Sequence, residues 1–177
     1  DERIEVGVAI VGGGPAGLSA AAAADSRDRV ILVEERPWFG GMSSSSDRAG
    51  EAASSLAAYP GAVWIVGGLL KGVDISDLVS GRGSTAKAAI VIGADRGPVV
   101  SAFSRHAPGV PVFEVDAAET EEVMAQVVDL AMGVAVQGDV VLLAPAAASF
   151  DQFASYADRG SRFAGAVRQR FGRGTDG

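Results

Sequence analysis

The chain has 177 residues, of which 48% are hydrophobic and 21% charged, and its formal net charge is −7. A single compact domain with its own core is the default for this length and composition. The negative charge repels nucleic-acid phosphates, so we expect no nucleic-acid partner. The absence of cysteine excludes disulfides and thiolate sites. No apolar run reaches the roughly 20 residues that span a bilayer, so we expect a cytoplasmic protein with no membrane partner.

Short apolar runs alternate with helical patterns along the chain. The predicted strands, apolar at nearly every position as strands covered on both faces are, are 8–12, 30–34, 63–66, 88–92, 110–113 and 140–143. The predicted helices are 16–24, 48–59, 75–79, 96–105, 118–132, 150–158 and 161–171. This alternation predicts an α/β fold. We expect a single doubly wound, Rossmann-like, mostly parallel sheet of about six strands, with helices on both faces, formed by one domain over residues 1–177.

Local patterns refine these elements. Two capping boxes, Asp116 with Glu119 and Ser149 with Gln152, predict the starts of two helices. The serine-rich stretch 42–50 is the only low-complexity patch, and we interpret it as a linker. The last helix is expected to bury a stripe at four-residue spacing, formed by Phe163, Val167 and Phe171. Trp64, in the predicted strand 63–66, is expected in the core.

A glycine-rich turn follows the first predicted strand. Gly12, Gly14 and Gly17 form G-x-G-x-x-G, in which the glycines permit a tight turn, close approach of a pyrophosphate and close helix–strand packing. Helix N–H groups after such a turn attract phosphates. Glu34 ends the second predicted strand, where an acid can accept a ribose 2′-OH. The alternative is that the glycines serve only as a turn.

Residues 6–41 resemble the dinucleotide-binding unit of flavin-dependent oxidoreductases of the two-dinucleotide-domain type. The segments GGGPAGLSAA and VILVEE and the trailing pair ending at Gly41 carry this resemblance. It implies that Gly12, Gly14, Gly17, Glu34 and Gly41 would hold the ADP moiety of FAD or NAD. Nothing here resembles the segments that cover the isoalloxazine ring in that family.

The following two-thirds of the chain, residues 52–171, resemble the C-terminal domain of the Mur ligases, most closely of members that add D-glutamate. The segments SLAAYPGAVWIVGGLLKGVDISDLV, KAAIVIGADRGPV and GDVVLLAPAAASFDQFASYADRGSRFAGAV carry it. The resemblance implies that Lys71, Ser149, Phe150 and Tyr156 contact the amino-acid substrate.

The chemistry of these four positions suits an anion, with plainer alternatives beside it. Lys71 follows a strand at the edge where open α/β sheets bind ligands, or is a solvated loop charge. Ser149 and Phe150 are expected at a helix start, where N–H groups suit an anion, or Ser149 is only a cap. Tyr156 is expected two turns into that helix. Asp158 and Arg159 are assigned to helix ends and ion pairs, and no catalytic or metal-binding residue is predicted.

Each resemblance lacks part of its usual machinery. The ligase motif Asp-Asp-Ser-Lys-Ala-Thr-Asn-Pro has no counterpart, and no G-x-x-x-x-G-K-[ST] loop for ATP occurs. We therefore favour an engineered chimera, with a flavoprotein-like segment at 1–45 and a ligase-like segment at 46–177, that at most binds a small molecule. The alternatives are a FAD- or NAD-binding oxidoreductase module, and a ligase part that works with a separate ATP-binding domain.

Overall fold

The computed structural model describes residues 8–12, 29–33, 45–67, 74–116, 119–146, 153–154 and 156–172. Their strands are Val8–Gly12 (β1), Arg29–Val33 (β2), Val63–Gly67 (β3), Ala88–Ile92 (β4), Val112–Glu114 (β5) and Val140–Ala146 (β6). Their helices are Ser45–Ala58 (α1), Ser76–Arg82 (α2), Gly97–His106 (α3), Thr120–Val134 (α4) and Tyr156–Gly172 (α5), and a 3₁₀ turn, Gly83–Thr85, follows α2.

All strand pairs are parallel, and the strands lie in the order β1-β2-β6-β3-β4-β5. The predicted α/β class with a parallel sheet is confirmed. β6, the last strand in the sequence, lies between β2 and β3, with Val140 beside Val30 and Val141 beside Val63. The N-terminal strands therefore contact the remaining strands through β6.

Two buried clusters lie on the two faces of the sheet. Alternate residues of a strand point to opposite faces, so Trp64 joins one cluster with α1, α2 and α3, whereas Ile65 joins the other with α4 and α5. The connections that run from β2 through β3 and β4 to β5 use the first face, and the return from β5 to β6 uses the second. Because the face changes together with the direction, these crossovers share one hand, as the right-handed rule for parallel strands requires.

An irregularity in β6 accommodates a proline within a central strand. Ile65 lies beside Leu143, but Gly67 lies beside Ala146, so β6 carries one extra residue at this point. Pro145 lies in this bulge, where a missing backbone N–H does least harm to the ladder. Next to the proline, the carbonyl of Ala144 accepts a 2.8 Å hydrogen bond from Trp64 Nε1. Trp64 is fully buried, which confirms its prediction as a core residue.

The predicted linker at 42–50 is wrong for its second part, because α1 begins at Ser45. Serine and aspartate are favoured at and near helix starts, so this polar run is compatible with a first turn. Ala52 and Leu56, which follow at helical spacing, are buried and attach α1 to the sheet.

The predicted break between helices 150–158 and 161–171 is wrong, because α5 runs from Tyr156 to Gly172 and Gly160 does not interrupt it. The first predicted helix is also wrong at residues 153 and 154, which are not helical, and its residues 150–152 and 155 lie outside the described residues. Glycine costs about 1 kcal/mol in a helix interior, and burial of Phe163 and Val167 on the sheet offsets that cost. These two residues of the predicted stripe are confirmed, and the side chain of Phe171 lies outside the described residues. Phe153 precedes the helix.

The predicted capping box at α4 is also wrong. The N-cap is Glu119, with no hydrogen bond from a capping side chain. The Asp116 carboxylate instead accepts a 2.9 Å hydrogen bond from Arg96 Nη2. The guanidinium of Arg96, at the N-cap of α3, therefore binds the carboxylate that was predicted to cap α4. Hydrogen bonds between charged groups are stronger than those to a neutral N–H.

Candidate functional site

The helices that follow β3 and β6 in the sequence pack on opposite faces of the sheet. Gly67 at the end of β3 lies beside Ala146 at the end of β6. The connection after β3 leads to α2 on one face, and the connection after β6 leads to α5 on the other. A crevice opens between neighbouring strands where connections diverge in this way, and open α/β sheets bind ligands there.

The backbone is tightly packed where β3 ends. Gly67 has φ +120°, and a Cβ atom at this position would lie 2.1 Å from the carbonyl oxygen of Ile92. Gly93, just after β4, has φ +110°. Side-chain-bearing residues rarely adopt such angles, so these glycines let the chain turn sharply out of the sheet.

Asp74 fixes the start of α2, which follows the segment that carries Lys71. Its carboxylate accepts a 2.8 Å hydrogen bond from the backbone N–H of Ser76. Hydrogen bonds from the Ser76 hydroxyl and then from its N–H hold the pKa of Asp74 below its ordinary value. The N-cap of α2 is Ile75, which makes no capping side-chain hydrogen bond, and the contact from Asp74 to the N–H two residues later is an Asx-turn immediately before the helix.

We therefore predict that the Ser76 amide resonance titrates with a midpoint below the ordinary pKa of aspartate. Because the folded-state pKa of Asp74 is lowered, its contribution to stability is present above the unfolded-state pKa and disappears as the pH falls through the folded-state pKa. NMR of the amide between pH 5 and pH 2 measures this midpoint. Asp74→Asn should abolish the titration. A wild-type midpoint at or above the ordinary pKa of aspartate would contradict the hydrogen bond from the Ser76 N–H to the Asp74 carboxylate.

On the other face, α5 is attached to the residues that precede it. Phe153 is 6% exposed and packs into the cluster under α4 and α5. The N–H of Ala154 donates to Asp158 Oδ2 at 3.1 Å, and Arg162 Nε donates to Asp158 Oδ1 at 2.9 Å. Asp158 therefore serves a helix start and an ion pair, as predicted. These contacts fix the chain just after the segment that carries Ser149 and Phe150.

The predicted amino-acid contacts are placed only in part. Lys71, Ser149 and Phe150 lie outside the described residues, but the strands that precede them end side by side at the carboxyl edge. The expected helix start at Ser149 and Phe150 lies outside the described residues, and the described helix α5 begins at Tyr156. Tyr156 is thus its first residue and not two turns inside it. The predicted capping box of Ser149 with Gln152 also lies outside the described residues.

At the far side of the sheet, the ends of β1 and β2 also meet. Gly12, the first glycine of the predicted dinucleotide turn, lies beside Val33. Gly14, Gly17, Glu34 and Gly41 lie outside the described residues. Since Glu34 directly follows Val33, the register is compatible with an acid near the glycine turn.

Two arginines were not predicted from the sequence as parts of a site. Arg96 Nη1 donates to the Gly93 carbonyl at 3.0 Å, while its other nitrogens reach Asp116 and Glu114. It joins the carboxyl ends of β4 and β5. Arg159, in the first turns of α5, is only 6% exposed. The signal for Arg159 was available, because it lies four residues before the buried Phe163 on the same stripe.

The part of the chain that the structure describes contains neither a metal-ligand cluster nor a membrane-spanning helix. No group of three or more histidine, aspartate or glutamate residues there could hold a metal ion. None of the helices described above combines the length and apolarity needed to cross a membrane.

Comparisons show similarity to two kinds of protein. A family model described as FAD dependent oxidoreductase matches residues 7–59. The chain is 52% identical over 139 residues to a UDP-N-acetylmuramoylalanine--D-glutamate ligase from Leifsonia xyli subsp. xyli, covering 78% of this chain and 26% of the relative. A ligase of the same name from Thermobifida fusca is 52% identical over 126 residues, covering 71% and 27%. That from Frankia casuarinae is 42% identical over 166 residues, covering 91% and 34%.

The chain therefore spans about a quarter to a third of the length of these ligases. Their likeness extends further than the predicted 52–171, since a match to 91% of the chain must include many of residues 7–59. The two similarities thus overlap, and they do not meet at a sharp boundary in the serine-rich stretch.

Proposed function

We propose that the carboxyl edge between β3 and β6 binds a small amino acid with a negatively charged side chain, D-glutamate in particular. The observation that carries this proposal is the side-by-side ending of the two strands at Gly67 and Ala146, followed in the sequence by helices that pack on opposite faces of the sheet. Ligands of open α/β sheets bind at such a point.

The residues that follow these strand ends have suitable chemistry. Lys71 comes four residues after Gly67, and Ser149 comes three residues after Ala146. An ammonium group can pair with a carboxylate, and a hydroxyl can donate to it. Phe150 and Tyr156 would supply the apolar wall that a small-molecule site usually has. The names of the relatives, which contain D-glutamate, agree with this choice of ligand.

We further infer that residues 1–177 act as one cytoplasmic domain with a single doubly wound sheet of about six strands. In it the N-terminal strands β1 and β2 complete a sheet formed by the later strands, and the overlap of the two similarities argues against a chimera joined at a sharp boundary. These 177 residues contain no G-x-x-x-x-G-K-[ST] sequence, so we assign amino-acid binding to them and not the ATP-dependent step.

NMR titration of the full chain with D-glutamate tests the proposal. Lys71→Ala should weaken binding by about tenfold, because it removes a charged hydrogen-bond donor. The control is Lys87→Ala: this lysine pairs with Asp139 just before β4 and β6, at the opposite edge of the sheet. It should leave the affinity unchanged. Absence of saturable binding to the wild type, or equal loss in both variants, would contradict the proposal.

A second candidate function is weak binding of the ADP moiety of FAD or NAD at the turn after β1. The pairing of Gly12 with Val33 and the match of the oxidoreductase family model to residues 7–59 favour it. Gly14→Val should abolish binding in calorimetric titrations with FAD and NAD, because its side chain would occupy the space of the pyrophosphate. Equal heats for wild type and variant would exclude a specific site. A purified protein with flavin absorbance would instead support an oxidoreductase module.

The third possibility is a ligase part that works with a separate ATP-binding domain. It differs from binding alone in one measurable way. Product should form from D-glutamate and ATP only when such a domain is added, and Lys71→Ala should raise the KM for D-glutamate. Binding of D-glutamate without product formation under these conditions would leave amino-acid binding as the function.

A further inference from the structure

The sheet ends at β5, and among the described residues no strand pairs with its outer edge. The carbonyl of Pro111 and the N–H of Val115 form hydrogen bonds to β4, at 2.9 Å and 3.0 Å. Because alternate residues of a strand direct their backbone groups to opposite sides, the N–H and C=O groups of Val112 and Glu114 face outward. Outward groups of this kind can pair with one more strand.

A groove of about 580 Å³ lies between this edge and α4. Part of its lining is apolar, because Phe113 of β5 and Leu130 and Val134 of α4 line it and are only partly buried. Gly133 also lines the groove, and no atom lies within 4 Å of the Cβ that a side chain would add there. A strand added beside β5 would therefore have room for an apolar side chain on the α4 side.

Carboxylates outnumber cations around this groove. Three line it, Glu114, Asp116 and Asp129, and they pair with two arginines, Arg96 and Arg170. In its ion pair the Asp116 side chain remains 83% exposed, so its carboxylate has room for a second donor. Glu122 is exposed, lies four residues before Gln126 on the same face of α4, and forms no ion pair with any described residue. The end of the groove near the start of α4 is therefore negatively charged.

We propose that the outer edge of β5 binds an extended segment of another protein, which adds a strand to the sheet and carries an apolar and a basic side chain two positions apart. Side chains two positions apart in a strand share one face, so both reach the groove. The apolar one contacts Phe113 and Leu130, and the basic one lies near Asp116 and Glu122. A second copy of this chain is disfavoured because each copy has a net charge of −7.

NMR titration of the full chain with a synthetic peptide tests this proposal. The peptide Thr-Thr-Leu-Thr-Lys-Thr-Thr, blocked at both ends, places leucine and lysine on one face of a strand. It should bind saturably, shift the amide resonances of Val112 and Glu114, and bind about tenfold more tightly than the same peptide with glutamate in place of lysine. Added salt should reduce that difference. Absence of shifts at these amides, or equal affinity for the two peptides, would overturn the proposal.

Filling the groove tests the role of its apolar part. Gly133→Leu places a side chain where no atom lies within 4 Å of the new Cβ, and leucine favours a helix over glycine. It should weaken binding of the lysine peptide by about tenfold. The matched control is Gly165→Leu on α5, an exposed glycine with an equally open Cβ position, which should leave the affinity unchanged. Equal affinities of the folded Gly133→Leu variant and the wild type would overturn binding in the groove.

Three further results decide between this proposal and other occupants of the edge. Should Gly133→Leu fail to fold, Glu122→Gln decides: a reduced preference for the lysine peptide supports the charge pairing, and an unchanged preference overturns it. N-methylation of one alternating set of peptide amides should abolish binding, because those amides pair with β5, and binding that survives methylation of either set overturns strand addition. If sedimentation shows that the chain alone dimerises and Gly133→Leu prevents it, a second copy is the occupant and the proposal is overturned.

Discussion

Gly67→Ala should lower the free energy of unfolding by about 3 kcal/mol or more. Two costs add at this position. The φ of +120° is outside the range that alanine adopts readily, and the new Cβ would lie 2.1 Å from the Ile92 carbonyl oxygen. That oxygen belongs to the backbone of a central strand, so relief requires β3 and β4 to move apart. Urea denaturation followed by circular dichroism measures the loss.

Gly61→Ala is the matched control for this substitution. Gly61 also has a positive φ, +82°, but no atom lies within 4 Å of the Cβ that alanine would add. Only backbone strain remains, which costs about 1–2 kcal/mol. A similar loss in both variants would contradict the close approach of Gly67 to the Ile92 carbonyl.

Trp64→Ala should cost about 3–5 kcal/mol, because it leaves a large cavity in the core. The indole is fully buried, and its ring centroid lies 5.6 Å from that of Phe103. Trp64→Phe separates packing from hydrogen bonding. It retains an aromatic ring but leaves the Ala144 carbonyl in the β6 bulge without its donor, which should cost about 1–3 kcal/mol. The same denaturation measurement determines both values.

Phe103→Leu provides the comparison for Trp64→Phe. It reduces an aromatic contact on the same face of the sheet but leaves the indole hydrogen bond in place. We expect a cost below about 1.5 kcal/mol if the core repacks. If Trp64→Phe proves as stable as the wild type, the Ala144 carbonyl does not depend on the indole.

The sequence predicted the strands well because their chemistry is uniform. Runs such as 88–92 and 63–66 are apolar at every position, which is typical of strands covered on both faces. The alternation with helices then implied a parallel sheet, because parallel strands require long crossovers. Strand order could not be predicted in this way. The placement of β6 between β2 and β3 depends on long-range packing and not on a local pattern.

The ends of helices were less predictable because local signals compete with tertiary contacts. Asp116 has the sequence of a cap for α4 but binds Arg96 from α3. Gly160 resembles a helix stop, yet burial of Phe163 and Val167 carries α5 through it. In both cases a contact between residues distant in sequence or a buried face outweighed a local preference of about 1 kcal/mol.

The candidate amino-acid site was predicted as residue types and not as an arrangement. The sequence indicated which cation and hydroxyl follow which strands, and the fold shows that those strands, β3 and β6, end together. Arg159 was assigned to helix ends and ion pairs, and it is buried with interaction partners in the chain. Only its burial distinguishes this arginine from the exposed Arg168 on the same helix.

Amide hydrogen exchange, measured by NMR, tests most directly whether the N-terminal strands belong to the same sheet as the ligase-like strands. Val30–Val33 of β2 pair with Val140–Leu143 of β6. If the pairing holds, the amides of Arg29–Val33 should open only with global unfolding, as we also expect for those of Val63–Gly67 in β3. Rapid exchange throughout β2 while β3 and β6 stay protected would show that residues 1–45 are not part of the sheet.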